Sequence, residues 1–214
     1  IAYLDQSIHI NTDIVKPGEI KSMQDLLAPK WKGKIIVDDP LIIGRGQTFM
    51  EHTTIRLGEE YVNQLMKQEP VTTRDVRQVA EFVAKGRYPI GLGVRPDPYQ
   101  EFKRAGAPIA NIFLDEVANL ASGIGNIVYL DKAPNPNASR VFLNWLLSRK
   151  GQTIWQEIRM AQSARNDVSV DNLVKAGLPV RKEVVYYFDV RSERYQTGEE
   201  ALKARTFVIK AFSS

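Results

Sequence analysis

The chain has 214 residues, 43% of them hydrophobic and 25% charged, with a net charge of +4 and a pI near 9.2; this suits one large or two small globular units, and no apolar run is long enough for a membrane-spanning helix. With no cysteine there is no disulfide, thiolate metal site or cysteine nucleophile, and with only His9 and His52 there is little material for a histidine-rich metal centre. The basic residues are scattered rather than massed with aromatics, so nothing in the composition points to nucleic acid, and no serine sits in a G-x-S-x-G turn.

Residues 8–11, IHIN, read as a short strand in which His9 alternates with Ile8 and Ile10, faces away from them and is expected at the surface. Ser22 with Asp25 three places on marks a helix start, and Pro29 ends that helix. Ile35, Ile36 and Val37 form a buried strand that runs into Asp38-Asp39-Pro40. Gly44-Arg45-Gly46-Gln47 then leads into a helix expected from about Gln47. A strand that passes through a glycine loop onto a helix start offers backbone N–H groups and a positive dipole end. Two glycines allow close approach, and the planar fork of Arg45 suits carboxylate or phosphate. Gly44, Arg45, Gly46, Gln47 and Thr48 are therefore candidate contacts for an anion.

Phe49, Met50, Thr53 and Leu57 give that helix an inner face, and Gly58 breaks it. A helix over 59–67 turns Val62, Leu65 and Met66 inward, and 70–72 is a short strand. The helix over 75–85 carries Val76, Val79, Ala80 and Val83 on one stripe, with Thr73 as its expected N-cap and a further candidate anion contact. Residues 89–94 read as a buried strand whose end carries Arg95-Pro96-Asp97-Pro98-Tyr99. Residues 108–114 form the next strand, ending in Asp115-Glu116, and 123–126 lead into Ile127-Val128-Tyr129-Leu130. Alternating strands and helices with short joints predict an α/β sheet with helices on both faces. Ligands of such sheets collect at strand ends, where Arg45 and Arg95 both fall, with Asp97 beside them. From Pro136 the chain turns helical: 136–148 places Val141, Phe142, Trp145 and Leu146 on one face, 152–160 and 171–176 follow, and a last helix starts at Glu199. Trp31, Trp145 and Trp155 are expected in the core.

Residues 127–152, IVYLDKAPNPNASRVFLNWLLSRKGQ, resemble the C-terminal lobe of bacterial periplasmic solute-binding proteins of the ferric-iron-type ABC transporter group. The stretches NTDIV at 11–15, MQDLLAPKWKGK at 23–34, AKGRYPIG at 84–91, and Ser163-Ala164-Arg165 with Asp167 are similar to the same family in the same order. The resemblance implies a type II periplasmic binding protein, in which two α/β lobes close on a solute and present it to a permease. Residues 1–11 would be an inter-lobe crossover, 12–131 the second lobe, and 132–214 a C-terminal helical segment packed on a first lobe that is missing from this chain. Iron-binding members carry paired tyrosines shortly after the strand equivalent to 89–94. Here 94–99 reads VRPDPY with the single Tyr99, and Tyr186-Tyr187 comes too late to match. Arg95 at that place implies an anionic solute held by charge-assisted hydrogen bonds instead.

The resulting expectation is a periplasmic, non-enzymatic substrate-binding component of an ABC importer, with a small anion as solute, the permease transmembrane subunits as partner, no cofactor and no resident metal. Its binding residues would be Gly44, Arg45, Gly46, Gln47, Thr48, Thr73, Arg95 and Asp97. A ferric-iron-binding protein, a ligand-sensing regulator domain and a phosphate-handling enzyme with Mg²⁺ at Asp38-Asp39 are the alternatives.

Overall fold

The computed structural model describes residues 4–5, 8–94, 96–114, 116–117, 119–121, 127–176, 178, 180, 188–189 and 198–213. In chain order the elements begin with β1 (Leu4–Asp5), β2 (Ile8–Asn11), β3 (Ile35–Asp38), α1 (Arg45–Leu57) and α2 (Glu59–Met66). There follow β4 (Val71–Thr73), α3 (Val76–Ala84), β5 (Ile90–Leu92), α4 (Pro96–Arg104), β6 (Ile109–Ile112) and β7 (Asn119–Ala121). The remainder is α5 (Pro136–Leu147), α6 (Arg149–Arg159), α7 (Asp171–Lys175), β8 (Phe188–Asp189) and α8 (Glu199–Phe212).

Five strands form the main sheet in the order β4-β3-β5-β2-β6. β3 is parallel to both β4 and β5, whereas β2 is antiparallel to both of its neighbours, β5 and β6. Four strands therefore run one way, and β2 alone runs against them. A smaller sheet orders β1-β7-β8. The sequence of β3 shows why both faces are covered. Ile35 and Val37 point into a core with Phe49, Met50, Val62 and Leu65, while Ile36 points into a second core with Val79, Val83, Val94 and Tyr99. All are buried, and each such side chain contributes about 1.5–3 kcal/mol through burial.

Several expectations change in the folded chain. His9 does alternate away from Ile8 and Ile10, but β2 is an inner strand whose other face is covered as well. The imidazole is fully buried, with its ring centroid 4.3 Å from that of Tyr99. Residues 96–99, expected as the end carried by the 89–94 strand, instead open α4. Proline is compatible with a first helical turn, where the N–H groups have no intrahelical acceptor, so Pro96 and Pro98 start the helix rather than prevent it. The segment from Ser22 to Leu27 is helical as expected but tightens to a 3₁₀ turn, Met23–Leu27, with the expected capping box. Residues 127–130 adopt no regular structure and are exposed.

The C-terminal helices divide into two groups. α5 pairs with α6, yet of its expected inner face only Leu146 is buried; Val141, Phe142 and Trp145 are 70%, 55% and 45% exposed. Trp145 is thus not a core residue of this chain, whereas Trp31 is. α8 packs instead on α1 and α2, with Val208 fully buried. Arg205 of α8 donates through Nε to Glu51 Oε1 at 2.6 Å, and the Glu51 side chain is only 7% exposed. The last helix thus belongs with the sheet rather than with a segment that turns away from it, because α1 offers it a second buried face.

Candidate functional site

The parallel pairing of β3, β4 and β5 brings their carboxyl ends to one edge of the sheet. β6 ends at the same edge, being antiparallel to β2 just as β5 is. α1 begins there, pressed against the end of β3. A Cβ on Gly46 would sit 1.7 Å from the carbonyl oxygen of Asp38, so only glycine fits. The loop after β5 crosses the same point at Gly93, which has φ +67° and whose added Cβ would lie 2.8 Å from Gly46 Cα. Two strand-end loops are thereby locked together on a pair of glycines.

The charges at this edge are arranged around that lock. Asp38 Oδ2 accepts from the Gly46 N–H at 3.2 Å, placing a carboxylate on the positive end of α1. Asp39 accepts from the Leu41 N–H at 2.9 Å and from Arg74 Nε at 3.0 Å, and its own N–H donates to Thr73 O at 3.0 Å. The two carboxylates are thus committed to separate partners, which does not fit a shared Mg²⁺ site. Among the described residues no group of three or more His, Asp or Glu could hold a metal ion. Arg45 is half-buried, and its Nη1 lies 3.5 Å from Val94 O, bridging the loops after β3 and β5. Burial chiefly, with the Arg45 charge adding to it, pushes the His9 imidazole down to a pKa of about 3.

The residues singled out in the sequence end in different situations. Gly44 is exposed at the rim, Arg45 is half-buried beside it, and the Thr48 hydroxyl donates to Gly44 O at 2.9 Å. Gly46 and Gln47 are buried behind this rim. Thr73 donates to Gln78 Oε1 at 2.7 Å and does not cap α3. The N-cap of α3 is Asp75, whose carboxylate accepts from the Arg77 and Gln78 N–H groups. Asp75 wins because it directly precedes the helix and carries a charge suited to its dipole. Asp97 lies on α4 and faces Arg159 of α6 at 3.6 Å. Glu116 accepts from the Met23 N–H at 2.6 Å, a structural role within the core layer. Arg95, Asp115, Tyr186 and Tyr187 lie outside the described residues. The sequence reading passed over Leu41, Ile42 and Ile43, which stand beside Gly44 at 39%, 40% and 89% exposure. Three consecutive apolar residues directly after Pro40 in a turn are the signal that could have marked them.

A mixed α/β sheet with helices on both faces, its carboxyl edge built from strand-end loops and a helix start, is the architecture of a type II periplasmic binding protein. The family model for bacterial extracellular solute-binding proteins matches residues 7–157, and the chain belongs to that family. Among solved structures it is similar to the periplasmic binding protein AfuA from Actinobacillus pleuropneumoniae, solved with fructose-6-phosphate bound. The identity is 19% and the TM-score 0.70, over 98% of this chain and 65% of AfuA. It is similar also to a Bordetella ferric binding protein, at 19% identity and TM-score 0.65, over 100% of this chain and 69% of that one. A protein of Haemophilus influenzae, itself uncharacterized, is 27% identical over 142 residues. That match spans 64% of this chain and 40% of the Haemophilus protein.

Proposed function

We propose that the carboxyl edge of the main sheet is one wall of a cleft that captures a small anionic solute in the periplasm for delivery to the membrane subunits of an ABC importer. The observation that carries this is Arg45. It is the guanidinium at the point where α1 begins and the loops after β3 and β5 meet, and that is where solutes of open α/β sheets bind. Arg45, Gly44 and Thr48 form the contact rim, Gly46 and Gln47 shape it from behind, and Thr73 flanks it at the end of β4. Asp97 on α4, together with Arg95, which follows Val94 in the sequence, is kept as a further candidate contact. The exposed face of α5, with Val141, Phe142 and Trp145, is assigned to packing on a first lobe corresponding to the part of the solved relatives that this chain does not span.

The test is a thermal-shift and titration panel of sugar phosphates, dicarboxylates, inorganic phosphate and Fe³⁺, run on the wild type and on Arg45→Ala. An anion is expected to raise the melting temperature. A hydrogen bond to a charged partner contributes about 1.5–3 kcal/mol, so Arg45→Ala should weaken binding roughly ten- to a hundredfold. Unchanged affinity in that variant, or tight coloured Fe³⁺ binding with no response to anions, would overturn the proposal.

A further inference from the structure

Gln47 stands in the first turn of α1, two residues after Arg45, and is only 4% exposed. A polar side chain buried to that extent is ordinarily paired within the protein. The polar groups around it are engaged elsewhere. Asp38 Oδ2 accepts from the Gly46 N–H, the Thr48 hydroxyl donates to Gly44 O, and Glu51, one turn further along the same face of α1, accepts from Arg205. Among the described residues the Gln47 amide has no hydrogen-bond partner. It is not sealed in either. Gln100 Nε2 is both unpaired and closed off, whereas Oε1 and Nε2 of Gln47 keep an opening to solvent.

The lean of the side chain sets where that opening faces. Helical side chains tilt toward the N-terminus of their own helix. The N-terminus of α1 lies at the carboxyl edge of the sheet, beside Gly44 and Arg45. The amide is thus aimed at the rim. An amide donates through Nε2 and accepts through Oε1, and a bare anion satisfies only the donor. A hydroxyl satisfies both, because its single oxygen accepts and donates.

We propose, on the reading of this edge as the solute site, that Gln47 is a specificity-determining contact and that the solute carries a hydroxyl close to the anionic group held by Arg45. The solute class is then a hydroxylated phosphate ester or a hydroxy acid rather than a bare anion. Arg45 supplies the charge-assisted bond and Gln47 reads the neutral group beside it. The two contributions are separable, since only one of them depends on the charge of the solute.

The test titrates two matched pairs into the protein: glycerol 3-phosphate against propyl phosphate, and malate against succinate. Within each pair the members differ in their hydroxyls. In the wild type the hydroxylated member of one pair should bind about two- to tenfold more tightly than its partner, and the pair that shows this tells a phosphate ester from a hydroxy acid. Gln47→Leu should erase the preference by weakening the hydroxylated member alone, whereas Arg45→Ala should weaken both members. In the ¹⁵N-labelled wild type, with no substitution, the Gln47 side-chain N–H₂ signals should shift with the hydroxylated member and stay in place with the other. Equal binding within both pairs of the wild type would overturn the role of Gln47 and leave the anion site standing. Equal weakening of both members in Gln47→Leu would make Gln47 a structural residue and overturn it too. A wild type that binds none of the four would overturn the anion site and this inference together.

Discussion

Acid should unfold this protein through a residue that looks like a surface histidine in the sequence. His9 lies on an inner strand, is fully buried, and has its pKa held down to about 3 by burial and the nearby Arg45 charge. In the unfolded chain it titrates near 6.5. Above pH 6.5 both states are neutral and His9 makes stability no function of pH. Below 6.5 the unfolded chain takes up a proton that the folded chain refuses until about pH 3, so stability falls steadily across that window. At pH 4.5 the difference amounts to about 3 kcal/mol from His9. His52, 2% exposed and pushed down to about 4 by burial, adds about 2–3 kcal/mol by the same route. Urea unfolding at pH 7.5 and pH 4.5 measures this directly. The drop in unfolding free energy between the two pH values should be smaller in His9→Leu than in the wild type by about 3 kcal/mol. Any cost of the substitution at pH 7.5 is a separate offset, and the carboxylates titrate alike in both proteins. Equal drops in both would refute the account of His9 as a buried, neutral base.

Three further outcomes follow from the packing. Gly46→Ala should destabilise by about 3 kcal/mol, since the added methyl meets the Asp38 backbone rather than a yielding side chain, while Gly44→Ala, with its nearest neighbours at 3.8 Å, should change stability by about 0.5 kcal/mol or less; thermal melts of the two compare them directly. Glu51→Gln removes the charge beneath Arg205 and should cost about 1–3 kcal/mol, with hydrogen exchange accelerating in α8 before the sheet. Phe142→Ser and Trp145→Ser should each cost about 0.5 kcal/mol or less in this chain, because both side chains are already exposed; a loss of several kcal/mol would show that α5 is buried after all.

The alternation of elements was legible because its signals are local. β3 is a short aliphatic run ending in Asp-Asp-Pro, α3 carries an apolar stripe, and both appear close to where the sequence places them. What escaped depended on neighbours in space. His9 has the spacing of an outward-facing residue in an alternating strand, and only the packing of α3 and of Tyr99 on α4 across that face makes it interior. Residues 96–99 were expected only as the end carried by the 89–94 strand, although proline suits a helix start. The apolar face of α5 was correctly recognised as apolar but does not say what it packs on. At the candidate site, the joint of β3 with α1 could be read from Gly44-Arg45-Gly46. The capping of that joint by Asp38 could not, since it requires a side chain to fold back across the turn. Nor could the crossing of Gly93 over Gly46, which joins residues 47 positions apart.

The central claim is that solute is held at the carboxyl edge of the main sheet, against the start of α1. A crystal structure of the protein with the tightest binder from the anion panel tests it most directly. The account predicts an oxyanionic group of the solute within about 3 Å of the Arg45 guanidinium, beside Gly44 and Thr48. A solute seated away from the ends of β3, β4 and β5, with no group of it near the Arg45 guanidinium, would contradict it.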